Sequence, residues 1–156
     1  MVSLLEQQAA ALIDKDLPIG SFSNVASLLF HEIEGLNWVG FYFAKNGRLE
    51  LGPFMGKPAC QVLPFVKGVC AKAYREGGTV IVDDVLSFPG HIACDSSSRS
   101  EIVVPLHHEG RVIGVLDVDS DQPKRFGEKE IALFENIRDL LEKRLDLQSL
   151  SGFLFE

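Results

Sequence analysis

The sequence predicts an α+β domain in which helices pack against a central antiparallel sheet. Three observations carry this. Apolar residues recur at helical spacing near both ends of the chain. Two pairs of strand-like segments are joined by tight turns. Helices and strands do not alternate strictly, as a parallel sheet would require. The 156 residues, 46% apolar and 24% charged, suffice for one core, so residues 1–156 are read as a single domain.

Ser3-Leu4-Leu5-Glu6 has the S-x-x-E form of a helix start, and that helix ends before Pro18-Ile19-Gly20. A second helix is expected from Ser21 or Ser23, with Val25, Leu28, Leu29 and Ile33 on its apolar face and Gly35 as its stop. The aromatic run Leu36–Lys45 reads as a strand, Asn46-Gly47 as a hairpin turn and Arg48–Gly52 as the return strand. Pro53–Cys60 is punctuated by proline and glycine and is expected to be irregular or an edge strand. Val69–Glu76 forms a short helix stopped by Gly77-Gly78, and Thr79–Val82 a short buried strand. Asp83–Ser100 has no period and contains Pro89-Gly90; structureless connections of this length are usually functional. Glu101–His107 and Arg111–Asp119 are strands joined across His108-Glu109-Gly110. After Phe126-Gly127 a long helix carries Ile131, Phe134, Ile137, Leu141 and Leu145 on one stripe. The first and last helices are expected on the same sheet face.

Fifteen Lys+Arg against 22 Asp+Glu give a formal net charge of −7. That balance, with no basic run, speaks against nucleic acid and anionic membrane as partners. No apolar run is long enough to cross a bilayer. The N-terminal stretch lacks the basic flank and unbroken apolar core of a signal peptide, so a cytoplasmic location is expected.

The three cysteines, at 60, 70 and 94, are too few and too oddly numbered for a structural disulfide framework. Cys94 lies in the long connection, where a thiol can be partly exposed and activated. Thiols on loops can also approach one another and close a disulfide. Cys70, among small apolar residues, is also readable as simply packed. His91 and Cys94 form an H-x-x-C pair, with His107 and His108 in reserve, but the cysteines offer no close ligand pair of the kind zinc usually recruits, so no metal or cofactor is expected. Asp117 and Asp119 are two apart at the end of an apolar strand, so they share a face, with Ile113 and Val115 expected beside them. Pairing of 101–107 with 111–119 brings Glu101 to the same end. Clustered carboxylates push one another's pKa upward and yield a proton donor near neutral pH. Trp38 and Tyr42 share one face of their strand and Phe41 and Phe43 the other.

These segments together resemble the free methionine-R-sulfoxide reductases, which are GAF-domain enzymes. The resemblance runs in order through Asn37–Tyr42, Gly52-Pro53-Phe54, Gly56–Cys60, Gly68-Val69-Cys70, Phe88–Asp95, Ser100–Pro105 and Gly114–Ser120. It implies a GAF fold and reduction of free L-methionine (R)-S-oxide, with thioredoxin as reductant. It further implies that Cys94 attacks the sulfoxide, that Cys60 is the principal resolving cysteine, and that Cys70 is an auxiliary one. Glu101, Asp117 and Asp119 then hold the substrate and assist proton transfer, with Asp119 or Glu101 as the acid, and Trp38 and Tyr42 form an aromatic wall. Met55, Val66 and Ala71 depart from the family pattern, each adding a side chain near Cys60 or Cys70. GAF domains often dimerise through helices like the outer ones here, so a homodimer is a possible assembly. The alternatives are a non-catalytic GAF module sensing a small molecule, a zinc-bound regulatory domain, and a dimerisation domain with inert buried thiols. The first leaves the Cys94 segment without a purpose, and the chain offers no basic cluster for a phosphate.

Overall fold

The computed structural model describes residues 2–156. Its strands are β1 (Leu36–Lys45), β2 (Arg48–Gly56), β3 (Val62–Pro64), β4 (Val80–Val82), β5 (Ser100–His108) and β6 (Arg111–Ser120). They form one sheet in the order β3-β2-β1-β6-β5-β4, with every neighbouring pair antiparallel. The helices are α1 (Leu4–Leu12), α2 (Pro18–Glu32), α3 (Val69–Glu76) and α4 (Glu128–Arg144).

The sheet separates two cores. On one face α1, α2 and α4 bury Ala9, Phe22, Val25, Leu29, Phe134, Ile137 and Leu141 against Val39, Phe41, Phe43, Ile102, Val104 and Leu116. Phe22 meets Phe41 and Phe43 edge-on at 4.8 and 5.2 Å. On the other face α3 and the long connection cover Trp38, Tyr42, Val103 and Val115. Helical ends of the chain therefore lie on one face, as expected, and chemistry-bearing residues on the other.

Local chemistry explains most of the element ends. The Ser3 hydroxyl accepts the Glu6 N–H at 3.2 Å, and the Glu6 carboxylate accepts the Ser3 N–H at 3.2 Å. The β1–β2 turn holds Asn46 and Gly47 at φ 55° and 75°, and the β5–β6 turn holds Glu109 and Gly110 at 52° and 78°. Two successive positive φ values match the twist of the strands they join. Gly77 ends α3 in the left-handed conformation.

The second helix begins at Pro18, three residues before the serine expected to cap it. Proline at the first helical position has φ already set and no N–H to leave orphaned. Ser21 still works as a cap of a kind: its hydroxyl accepts the Asp14 N–H at 2.8 Å and donates to the Leu17 carbonyl at 2.8 Å. The return strand β2 runs on to Gly56, since Gly52 and Pro53 together oppose the single residue Phe41 in a bulge. A bulge is where a strand tolerates proline. The edge strand β3 was not expected; its three residues are too few to show a period. Val115 does share the face of Asp117 and Asp119, but Ile113 does not. Leu106 pairs with Gly114 and His107 with Val112, which leaves Ile113 as an extra residue whose side chain joins the helix-side core. Beyond α4, Phe155 is buried and the Glu156 N–H donates to the Ala44 carbonyl at 2.9 Å. No helix among the described residues is long and apolar enough to cross a membrane.

Gly40 is a position where a missing side chain matters. A Cβ there would overlap Phe54 Cβ and the Trp38 ring, which lies across it. Gly40→Ala is expected to cost about 1–3 kcal/mol through overpacking, read as a lowered urea midpoint; an unchanged midpoint would mean that the Trp38 ring is free to move away.

Candidate active site

The register of β1, β6 and β5 gathers the site. Trp38 pairs with Asp119 across β1–β6, and Asp119 with Glu101 across β5–β6. Asp117 is two residues from Asp119 and so faces the same way. These residues, Tyr42, and Val69-Cys70-Ala71 at the start of α3 line a cavity that His91, Cys94 and Asp95 complete from the long connection. Its free volume is about 50 Å³.

All three cysteines come to this one face. Cys60 and Cys94 are joined by a disulfide, with Cα atoms 5.5 Å apart. Cys70 is a free, buried thiol whose Sγ lies 4.0 Å from Glu101 Oε2. The zinc reading through His91 and Cys94 finds no support in this arrangement: the Cys94 sulfur is engaged by Cys60. His107 and His108 lie at the far end of β5, several residues from Glu101.

The carboxylates share little water. Glu101 is 7% exposed and Asp117 6%, while Asp119 is partly buried. Burial pushes the pKa of all three up, and for Glu101 and Asp119 the charge of Asp117 adds to it. Hydrogen bonding from Glu101 works in the opposite sense on Asp117. No Lys or Arg among the described residues forms an ion pair with any of them. Asp117 Oδ1 has no hydrogen-bond partner at all. Burial, and then the charge of Asp117, also raise Cys70, which holds its proton. His91 is lowered by burial and stays neutral.

The two aromatics serve as more than a wall. Trp38 stacks on Phe54 at 5.4 Å and lies nearly parallel to Tyr42 at 5.9 Å. Its indole N–H donates to the Lys57 carbonyl at 3.2 Å, and the Tyr42 hydroxyl donates to the Cys60 carbonyl at 2.8 Å. Both polar tips thus pin the β2–β3 connection that carries Cys60.

Asn37 is a site residue that sequence reasoning did not single out. Leu36 pairs with Ser120 and Trp38 with Asp119, so Asn37 is the extra residue of a bulge. Its Nδ2 lies 3.2 Å from Asp95 Oδ2, 3.2 Å from Ser97 Oγ and 3.1 Å from Ser98 Oγ, donating into the segment just beyond Cys94. Asp95 also accepts the Ser97 N–H and hydroxyl, at 2.9 and 2.6 Å. A bulge re-aims a side chain in a way that no alternation pattern announces. Of the three departures from the family pattern, Met55 packs towards the helix-side core and Val66 is 79% exposed. Only Ala71 reaches the cavity.

The GAF domain family model matches residues 21–143. The chain is 40% identical over 127 residues to the free methionine-R-sulfoxide reductase of Escherichia coli (strain K12), covering 81% of this chain and 77% of that protein. Among solved structures, the reduced form of Staphylococcus aureus fRMsr superposes with a TM-score of 0.87 at 46% identity, covering 90% of this chain and 92% of that one. The free methionine-R-sulfoxide reductase of Neisseria meningitidis, in complex with its substrate, gives 0.85 at 44% identity, covering 90% and 85%.

The buried carboxylates set the sign of a pH effect. Their folded pKa values lie above the unfolded ones, so the stability they contribute is full at low pH and is lost as pH rises through the raised values. Unfolding midpoints are therefore expected to fall from about pH 5 towards neutral. Asp117→Asn should flatten that slope and add about 0.5–2 kcal/mol at neutral pH; urea titrations at several pH values giving equal slopes for parent and variant would refute this. Asn37→Ala should lose about 1–2 kcal/mol and speed amide exchange at 94–98. Unchanged exchange would place the hold on that segment elsewhere.

Proposed function

The chain belongs to the GAF-domain family and, within it, to the free methionine-R-sulfoxide reductases, and from this we propose that it reduces free L-methionine (R)-S-oxide to L-methionine, with thioredoxin as the reductant. The observation that carries the reading is the Cys60–Cys94 disulfide beside a cavity of buried carboxylates.

Sulfoxide sulfur accepts a nucleophile only when its oxygen is protonated or strongly hydrogen-bonded. A carboxylic acid that keeps its proton near neutral pH supplies that proton, and the Glu101–Asp119 pair has the raised pKa the task needs. Asp117, with one oxygen unpartnered, is suited to receive the substrate ammonium in a dry site, where charge pairing is stronger than in water. Trp38 offers its face to the S-methyl group. Cys94 then attacks sulfur, and the oxygen passes to it: sulfoxide plus thiol gives methionine plus Cys94 sulfenic acid. Condensation with the Cys60 thiol forms the disulfide and releases water. Exchange with the two thiols of thioredoxin restores both cysteines and leaves thioredoxin oxidised. Cys70, kept protonated by its surroundings, is the weaker resolving nucleophile and serves as the auxiliary thiol.

A non-catalytic sensing module would need none of the thiol chemistry.

The test is methionine release from each separate sulfoxide epimer with a thioredoxin system. Turnover of the R epimer alone is expected, and absence of turnover on the R epimer rejects the reading. Cys94→Ser should lower turnover by at least ~10³-fold. Cys60→Ser should still release about one methionine per chain and then stall. Repeated turnover by Cys60→Ser at the parent rate would move the resolving role to Cys70.

A further inference from the structure

Cys70 remains free when the disulfide is closed. Its Sγ, one Glu101 oxygen and one Asp117 oxygen all lie within 4.8 Å of one another, on three buried side chains. Asp117 is more than nine-tenths buried, lines the cavity, and leaves Oδ1 without a donor. A buried carboxylate oxygen with no hydrogen-bond partner is under-solvated, and a cation is the partner that satisfies it.

We propose that Cys70, Glu101 and Asp117 form a binding site for a thiophilic divalent cation, zinc foremost. A tetrahedral zinc with bonds of ~2.0–2.3 Å places its ligand atoms ~3.5 Å apart, so side-chain shifts of about 1 Å or less close the set around it. One thiolate with two carboxylates suits zinc or cobalt. Magnesium and calcium, which want six or more oxygens, are poorly served. On binding, a metal–sulfur bond replaces the S–H bond and the proton leaves to solvent, with no change of oxidation state. All three side chains line the cavity, so a fourth ligand would come from that side. The ion takes the place that the reductase reading gives to the substrate ammonium, so metal and sulfoxide exclude each other. That exclusion rests on the reductase reading, whereas the ion site does not.

Cobalt(II) is the probe, titrated into the oxidised protein. With Cys60 and Cys94 tied together, Cys70 is the one thiol left to bind it. A saturable thiolate-to-cobalt charge-transfer band at one equivalent is expected, and added zinc should bleach it. Cys70→Ser should abolish the band, and Asp117→Asn should raise the half-saturating cobalt concentration at least tenfold. No band, a band that survives Cys70→Ser, or an unshifted titration in Asp117→Asn overturns the site. Excess methionine sulfoxide should bleach the band. A band that persists in a protein with proven turnover overturns the shared position, and a band in a protein without turnover supports the ion site while the reductase reading falls.

Discussion

Three carboxylates meet a thiol where water is scarce and, among the described residues, no Lys or Arg forms an ion pair with them, and the rest of the site is arranged around that condition. Fully ionised, such a cluster would repel itself in a medium that screens poorly. It relieves the repulsion by keeping protons or by admitting a positive group. Both routes are useful. A retained proton is a general acid at neutral pH, and a place for a positive group is a place for an ammonium or a metal ion. The cost falls on folding, as is common where a site is assembled before its ligand arrives.

The surrounding devices hold this cluster against the Cys60–Cys94 disulfide. The sheet fixes the carboxylates through main-chain register, the stiffest means available. Cys60 and Cys94 sit on connections between elements. Each connection is tethered a short distance from its cysteine. Tyr42 holds the Cys60 carbonyl and Asn37 holds the residues after Cys94. Gly40 allows the Trp38 ring to lie against β1, where it stacks with Phe54 and Tyr42.

Much of this was legible in the sequence, for reasons that are local. Ser3-Leu4-Leu5-Glu6 carries its own capping chemistry, and Asn46-Gly47 its own turn geometry. Strand periodicity separated Trp38 and Tyr42 from Phe41 and Phe43 and put Asp117 beside Asp119. What was not legible is what depends on a partner distant in the chain. Cys60 and Cys94 are 34 residues apart, and nothing in their spacing says that they meet; only family resemblance suggested it. Ser21 looked like the cap of its helix because it does accept a backbone N–H, but from Asp14, after a helix that proline had already begun. Asn37 and Ile113 escaped because each is the surplus residue of a bulge, and a bulge breaks the period on which the reading relies.

The surplus residue at Ile113 reaches further than its size. Side chains on a strand change sides at every step, so the count of residues between the β5–β6 turn and Asp117 decides which core receives the acids. With Ile113 doubled up against the helix-side core, the count comes out so that Asp117 and Asp119 face the cavity. Losing one residue anywhere between Val112 and Leu116 would force a choice between abandoning the bulge and turning both aspartates into hydrocarbon. Length in this stretch is consequently under control as well as identity: the hairpin arm behaves as a phase adjuster, and Gly114, where a Cβ would run into the Tyr42 carbonyl oxygen, leaves no room for a side chain either.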